Sequence, residues 1–303
     1  MPEYATRFDD NHPDFPVLSM LRDEIASRAG GVAALEAKFP ELVRNSVDFV
    51  LDPVRTARTK VIELDNVEKT FIGLKLEHFV RDMLDVPKGR RDLVIGGMDV
   101  DIKNTVRDNW SIPQETYRSS EPCLLMAIND KRFTCSLGLI IAKESYLHRG
   151  KGNRDTKKGV STAGRVNILW LVYDAPFPAS RFHDLDMLRF RELRKQLRGN
   201  QRVAQFWREN LGRVVHRDVM QALLFDQDDY MKRLRANGGA PDILKREGIA
   251  VLIGTYLEPR RLAEYLGFPS LRTDEILGIK PRSQREADLM SANGVIAPLR
   301  WTG

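Results

Sequence analysis

The chain has little material for disulfide or metal–thiolate chemistry, because its 303 residues include only two cysteines and five histidines. Cys123 and Cys135 fall on neighbouring predicted strands, where two small core residues are the simpler interpretation. A disulfide framework is therefore not expected, and we expect a reducing, cytoplasmic setting. The sequence contains no Cys/His cluster at zinc-ligand spacing, so it offers no chemistry that competes with carboxylates.

Long hydrophobic runs are also missing. No run approaches the ~20 apolar residues that a helix needs to cross a bilayer. The first 15 residues are polar and acidic, which is not the pattern of a signal peptide. We therefore expect no membrane association. An apolar content of 42% is enough for the cores of one large or two ordinary domains.

Basic charge is concentrated in two parts of a chain whose net charge is +6. Residues 143–158 carry six lysines and arginines against two acids, and residues 181–246 carry fifteen against nine. Concentrated basic charge is typical of proteins that bind a polyanion such as DNA. Solvated helix faces are the alternative, and charge alone does not decide between the two.

The first half of the chain predicts a mixed sheet with helices. Apolar residues at 3.6-residue spacing predict a helix over 66–85. Two strands at 92–96 and 98–105 are separated by Gly96-Gly97, a plausible hairpin turn. Further strands are expected at 123–128, 134–142 and 166–173. The unbroken apolar run of the last one favours a central strand buried on both faces.

The second half of the chain has a different predicted secondary structure, with more helix and fewer strands. Two prolines in 174–180 suggest a linker, which divides the chain into predicted domains 1–175 and 180–303. Residues 182–236 look mostly helical, 248–254 form a short strand, 259–268 a short helix, and the last 30 residues look irregular or form short strands. Helices followed by a small strand pair fit a winged helix-turn-helix type of module. The fold class is therefore α/β, with a mixed-sheet core and this C-terminal module.

The hairpin places charged groups side by side. Asp92 opens its first strand, and Asp101 and Lys103 share one face of the second strand. Two adjacent carboxylates repel each other unless a cation lies between them. Mg²⁺ prefers carboxylate and phosphate oxygens, so the pair predicts a Mg²⁺ site completed by a phosphate. Lys103 would orient or deprotonate the attacking water, or stabilise charge in the transition state.

Two further acids lie near these residues. Glu77 falls at the edge of the apolar stripe of the predicted helix, next in rotation to Gly73, and is a candidate third carboxylate. A surface glutamate is the ordinary alternative. Asp99 shares the face of Asp101 and is assigned a supporting role. The three groups Asp92, Asp101 and Lys103 resemble the motif of the restriction-type nuclease fold.

Specific stretches carry a family resemblance. The helix segment KTFIGLKLE resembles the motif of the repair nickase MutH and of Sau3AI, which implies a metal site of Glu77, Asp92, Asp101 and Lys103. The wider chain resembles the NaeI family of type II restriction endonucleases. The stretches that carry this likeness are DVDIK (99–103), W-x-I-P-x-E (110–115), NRDTKK (153–158) and residues 228–252.

One departure from the NaeI pattern leaves an alternative open. As aligned, the helix carboxylate of that family falls at Gly73, one turn before Glu77. Either Glu77 replaces it in the manner of MutH, or the site works with the two aspartates only.

The resemblance implies a Mg²⁺-dependent homodimer that cuts double-stranded DNA, with a restriction-endonuclease-like N-terminal core. Its C-terminal helix-turn-helix domain would bind a second, activating DNA site. Two alternatives remain: a MutH-like nickase, and a non-catalytic DNA-binding regulator. The residues expected to contact DNA are basic and lie in two groups. They are Arg149, Lys151, Arg154, Lys157 and Lys158 in the loop, and Lys232, Arg233 and Arg235 in the second domain.

Overall fold

The computed structural model describes residues 8–107, 109–150, 152 and 155–300. It divides the chain into two compact units. The first unit runs to Leu51 and continues over Lys60–Ser180, and the second combines Asp52–Thr59 with the chain from Arg181 onward. The change of unit after Ser180 follows the proline-containing segment 174–180. No sequence pattern marks the short Asp52–Thr59 segment as part of the second unit.

The first unit is a five-stranded mixed sheet with helices. Its strands lie in the order β1-β2-β3-β4-β5, and only the β2–β3 pair is parallel. The elements are α1 (Phe15–Ala29), α2 (Val32–Leu51), α4 (Asn66–Leu84), β1 (Leu93–Ile95), β2 (Met98–Thr105), α5 (Gln114–Arg118), β3 (Pro122–Asn129), β4 (Thr134–Ile141) and β5 (Leu169–Pro176). The mixed sheet expected from the sequence is confirmed.

The helix that carries Glu77 is defined at both ends by local chemistry. Asp65 caps α4 by accepting the amide of Glu68 at 2.8 Å, and the Glu68 side chain accepts the amide of Asp65 at 3.0 Å. Asp85 ends the helix in the left-handed conformation. The helix buries Ile72 and Leu76 against α2 and β2, so its apolar stripe determines which face turns toward the sheet.

The prediction of a central position for the fifth strand is wrong. β5 pairs only with β4 among the described strands and lies at an edge of the sheet. Its apolar run is explained instead by side chains and helices that pack against both of its faces. Leu169 and Leu171 join the core against α1 and α2. Trp170, which points the opposite way, packs at 6.3 Å from Trp110 in a second cluster.

The second unit contains a three-stranded antiparallel sheet, with its strands in the order β6-β8-β7. The elements of this unit are α3 (Pro53–Thr56), α6 (Met187–Gln196), α7 (Gly199–Glu209), β6 (Val214–His216), α8 (Arg217–Leu223), α9 (Ala240–Arg246), β7 (Ala250–Ile253), α10 (Leu257–Tyr265), β8 (Glu275–Ile279) and α11 (Gln284–Ala292). The expected strand near 248–254 and helix near 259–268 are confirmed.

The chain end is more regular than expected. It contains the short strand β8, which agrees with the prediction, and the helix α11, which the prediction lacks. The sequence does contain a start signal for this helix, the serine at position 283 followed three residues later by Glu286. Ser283 caps the helix by accepting the amide of Glu286 at 3.2 Å. Only Ala287 and Met290 of α11 are buried, so the apolar periodicity is short.

Both cysteines lie among the described residues. Cys123 and Cys135 are buried core residues, as the sequence predicted, and they are not bridged to each other. Burial raises the pKa of the Cys135 thiol to about 12, so it stays protonated at neutral pH. Within the same residues, no helix is both long enough and apolar enough to span a membrane.

Candidate active site

The β1–β2 hairpin brings the two aspartates together. Leu93 pairs with Val100, so Asp92, one residue before β1, is next to Asp101. The strands are joined by Gly96 and Gly97, whose φ angles are +56° and +77°. Two consecutive left-handed residues form the type I′ geometry that suits a two-residue hairpin.

Both oxygens of the Asp101 carboxylate have hydrogen-bond donors. The Lys103 ammonium lies 2.5 Å from Oδ1, and the Thr116 hydroxyl donates to Oδ2 at 2.8 Å. Lys103 also donates to the carbonyl of Ile102 at 2.9 Å. Asp101 is only 5% exposed, so these contacts compensate for the loss of water around its charge.

Asp92 connects the hairpin to the helix. Its Oδ2 accepts the backbone amide of Ile102 at 2.7 Å, and its carboxyl group lies beside those of Asp101 and Glu77. Burial raises the pKa of Asp92 and outweighs the opposing effect of the Ile102 amide, while the neighbouring Asp101 raises it further. Three carboxyl groups therefore form a continuous row that ends at the Lys103 ammonium.

The structure places Glu77 in this row rather than on the free surface of α4. Burial, followed by the charge of Asp92, raises the pKa of Glu77 to about 7, although Lys103 and Arg81 act in the opposite direction. A carboxyl group with this pKa can share a proton with its neighbour near neutral pH. The catalytic role of Glu77 stays a prediction.

Gly73 packs against the side chain of Asn104. A Cβ atom at Gly73 would lie 2.7 Å from Nδ2 of Asn104, so a carboxylate there would require the Asn104 side chain to move. Glu77 is one turn further along, where α4 borders an open cleft of about 570 Å³. The cleft is also lined by Lys69, Asp92 and Lys103.

The donor chemistry of the row fits an oxygen-preferring divalent cation. Glu77 and Asp92 are neighbouring carboxyl groups with raised pKa values, and a cation between them would offset their mutual repulsion. In this arrangement Lys103 neutralises Asp101. Among the described residues, no group of three or more His, Cys, Asp or Glu side chains has the geometry to hold a metal ion.

Sequence reasoning missed the groups that hold the aspartates in place. The amide of Ile102 and the hydroxyl of Thr116 do not follow from local patterns, because amides carry no sequence signal and Thr116 lies in the connection between β2 and β3. Thr116 directly follows Glu115 of the W-x-I-P-x-E stretch, which was the one hint available. Asp99 accepts the amide of Arg91 at 3.3 Å, in keeping with its supporting assignment.

The predicted DNA-binding loop is only partly described. Arg149 is exposed and Lys157 is half-buried, whereas Lys151 and Arg154 lie outside the described residues. Lys158 is 8% exposed, and its ammonium contacts Glu144 at 2.6 Å. To contact a phosphate, Lys158 would therefore have to leave Glu144.

The basic residues predicted for the second domain lie at a short 3₁₀ helix, Tyr230–Leu234, rather than on an α-helix. Lys232 and Arg235 are exposed, and Arg233 donates to Gln227 at 3.0 Å. Two of the three cations are therefore accessible to a polyanion, and their contact with DNA stays a prediction.

Comparison with known proteins gives a consistent result. The family model described as Restriction endonuclease NaeI matches residues 36–298, which includes most of both units. The chain is also 29% identical over 256 residues to the type II restriction enzyme NaeI of Lentzea aerocolonigenes, covering 82% of this chain and 79% of that protein. The match extends across the β1–β2 hairpin, α4 and the three-stranded sheet. The chain therefore belongs to the NaeI family of restriction endonucleases.

Proposed function

We propose that the protein is a Mg²⁺-dependent type II restriction endonuclease that cleaves double-stranded DNA at a specific sequence. A member of this family is a site-specific deoxyribonuclease. The observation that carries the proposal is the row of Glu77, Asp92 and Asp101 ending at Lys103, beside an open cleft. Neighbouring carboxylates together with a phosphate of bound DNA supply the oxygen ligands that Mg²⁺ prefers.

The chain's own residues have distinct roles in the proposed reaction. Glu77 and Asp92 would hold Mg²⁺, with Asp101 completing the set. A Mg²⁺ ion held there would supply positive charge to offset that of the phosphodiester and would lower the pKa of the attacking water. Lys103, held by Asp101 and the carbonyl of Ile102, would donate to the phosphate oxygen that gains charge in the transition state.

The bond changes follow from hydrolysis of a phosphodiester. A water oxygen forms a bond to phosphorus, and the bond from phosphorus to the 3′ oxygen breaks. The attacking water gives up a proton and the leaving 3′ oxygen takes one, so the products carry a 5′-phosphate and a 3′-hydroxyl. The exposed Arg149 and the half-buried Lys157 would contact phosphates beside the cleft and position the duplex.

The second unit is proposed as a winged helix-turn-helix module that binds a further DNA site. Support comes from the order β6, α8, α9, β7 and β8 along the chain, with β8 between β6 and β7 in the sheet. This order places two short helices between strands of an antiparallel sheet, as that module requires. The exposed Lys232 and Arg235 follow α8 and would contact phosphates. Activation by this second site is part of the proposal.

A homodimer in the cytoplasm is proposed for the assembled enzyme. Cutting both strands of a palindromic site requires one active site for each strand, related by a twofold axis. The two buried, unbridged cysteines are compatible with a reducing compartment.

The decisive experiment uses the purified chain with a mixed plasmid library and Mg²⁺, followed by sequencing of the DNA ends. Linear products with one shared end sequence are expected, and stable nicked circles would instead indicate a nickase. Asp101→Asn and Lys103→Met should abolish cleavage and leave DNA binding measurable. Asp82→Asn, an exposed carboxylate on the same unit, is the matched control. Retained cleavage in both site variants would refute the assignment.

A further inference from the structure

The second oxygen of Asp101 is held by a residue outside the catalytic pattern. The Thr116 hydroxyl donates to Oδ2 at 2.8 Å, while Lys103 occupies Oδ1 at 2.5 Å. Thr116 is 0% exposed, so no bulk water can replace its hydroxyl as the donor. The Asp101 carboxylate is thereby fixed at both oxygens, which sets its rotation about χ2 as well as its position.

The element that carries Thr116 is held independently of the site. The Thr116 amide donates to Pro113 at 3.2 Å, and its carbonyl accepts the amide of Glu121 at 3.1 Å. Before this short helix, Ile112 exchanges two backbone hydrogen bonds with Lys158, at 2.9 and 3.0 Å. The hydroxyl is therefore presented to Asp101 by a framework that does not include Glu77, Asp92 or Lys103.

Without the Thr116 hydroxyl, Asp101 would keep the Lys103 donor at Oδ1 and lose the donor at Oδ2. Oδ2 would lose a donor in a buried place, and the carboxylate could rotate toward the Lys103 ammonium. Such a rotation would change both the oxygen offered to a cation and the position of the ammonium. Groups that orient a ligating carboxylate in this way affect metal affinity and rate without touching the substrate.

We propose that Thr116 is a positioning residue of the nuclease site, whose hydroxyl orients the Asp101 carboxylate for the cation and for Lys103. The inference rests on the proposed function of this site. It concerns the hydroxyl rather than the size of the side chain, so valine and serine separate the two properties. Valine keeps the branched shape and loses the donor, whereas serine keeps the donor.

The test compares Thr116→Val, Thr116→Ser and the control Ser46→Ala. Ser46 is also 0% exposed and loses a single hydroxyl contact, to the carbonyl of Val43 at 2.8 Å, within α2. Three quantities are measured on the full chain: the single-turnover cleavage rate at saturating protein, the DNA affinity in EDTA, and the rise in Tm caused by Mg²⁺.

The expected result has a defined pattern. Thr116→Val should cleave about tenfold to 100-fold more slowly and show a smaller Mg²⁺-induced rise in Tm, because it lacks the orienting group. Its DNA affinity in EDTA should match that of the unaltered chain. Thr116→Ser should recover most of the rate and most of the Mg²⁺ response. Ser46→Ala should change only the Tm measured without metal.

Two outcomes overturn the inference: a Thr116→Val protein that cleaves and responds to Mg²⁺ normally, or a Thr116→Ser protein as impaired as Thr116→Val. If Thr116→Val does not fold, Thr116→Ala takes its place in the same comparison. If the unaltered chain cleaves no DNA but its Tm rises with Mg²⁺, the proposed function fails and the Tm comparison still decides the role of Thr116. Absence of both effects in the unaltered chain overturns both proposals.

Discussion

The backbone amide of Ile102 donates a 2.7 Å hydrogen bond to Oδ2 of Asp92, ten positions earlier in the chain. Asp92 lies just outside β1, and Ile102 is in the middle of β2. The orientation of the Asp92 carboxylate therefore depends on the register of the hairpin. A shift of one residue would turn the side chains of β2 to the opposite face and separate the two aspartates.

The first prediction concerns the turn that sets this register. Gly97 has φ +77°, and a Cβ atom there would have nothing within 4 Å, so only backbone conformation opposes a side chain. Gly97→Val should lower the free energy of unfolding by about 1–2 kcal/mol. It should also slow DNA cleavage, because the hairpin positions Asp92. Urea unfolding and cleavage assays measure the two effects.

Gly97→Asn is the matched control for this turn. Asparagine adds a side chain of similar size but tolerates the left-handed conformation. It should keep most of the stability and activity that Gly97→Val loses. Equal losses in the two variants would show that the side chain itself, rather than the backbone conformation, is responsible.

The second prediction concerns the pH dependence of stability. The pKa of Glu77 is about 7 in the folded chain and 4.5 as an ordinary glutamate, so the folded state binds the proton more tightly. In EDTA, the free energy of unfolding should therefore fall as pH rises from 4.5 to 7. Glu77→Gln removes this penalty. The variant should be more stable than the unaltered chain above pH 7 and lose that advantage below pH 4.5.

The measurement is urea unfolding at a series of pH values with metal removed. Asp82→Asn, an exposed change on the same helix, removes a carboxylate that lies outside the row and serves as the control. A stability difference for Glu77→Gln that is constant from acid to neutral pH would contradict the proton-sharing arrangement of Glu77 and Asp92.

The third prediction decides whether Glu77 completes the metal site or the two aspartates suffice. If Glu77 binds the cation, Glu77→Gln should cleave DNA at least about 100-fold more slowly at fixed Mg²⁺, since even groups that only orient ligands cost tenfold to 100-fold. Part of the loss should be recovered at higher Mg²⁺. Steady-state cleavage as a function of Mg²⁺ provides the measurement, and an unchanged Mg²⁺ dependence would favour the two-aspartate site.

The fourth prediction concerns the basic loop. The exposed Arg149 should contribute one phosphate contact, so Arg149→Gln should reduce the slope of log affinity against log salt by about 0.9. Lys158→Gln should change the slope less, because its ammonium already contacts Glu144 at 2.6 Å. DNA-binding titrations at several salt concentrations in EDTA test the pair. Equal changes in slope would mean that Lys158 leaves Glu144 when DNA binds.

The hairpin and the helix before it could be predicted because their signals are local. Asp92, Asp101 and Lys103 lie within twelve residues of one another, and alternation along a strand is enough to place them on one face. Glu77 required one further step, because rotation about α4 places it beside the stripe that faces the sheet. The positions of these four residues can therefore be predicted from helix and strand periodicity together with the Gly96-Gly97 turn.

The remaining features depend on long-range packing. The bond from Thr116 to Asp101 spans a parallel crossover between β2 and β3, whose path no local pattern specifies. The apolar run of β5 predicts a central strand, because a strand that is buried on both faces is apolar along its length. An edge strand has the same composition when helices cover one of its faces and aromatic side chains cover the other. Sequence records how deeply a strand is buried but does not reveal which elements bury it.

The buried guanidinium of Arg202 binds three backbone carbonyls of the second unit. Arg202 is 2% exposed and donates to the carbonyls of Leu197, Leu223 and Arg194 at 2.8, 2.9 and 3.0 Å. It also pairs with Asp226 at 2.6 Å and lowers the pKa of that carboxyl group. The carbonyls belong to the last turns of α6 and α8, so one side chain satisfies helix ends that would otherwise lack donors.

The last prediction follows from this concentration of hydrogen bonds. Arg202→Met should lower the free energy of unfolding of the second unit by about 3–5 kcal/mol, because it leaves buried carbonyls and a carboxylate without their donor. Arg202→Lys should recover only part of the lost free energy of unfolding, since an ammonium cannot reproduce the planar set of N–H donors of a guanidinium. The exposed Arg198→Met should change it by less than about 0.5 kcal/mol. Hydrogen exchange over residues 187–223 in increasing urea measures the loss, and equal protection in Arg202→Met and Arg198→Met would contradict the assignment.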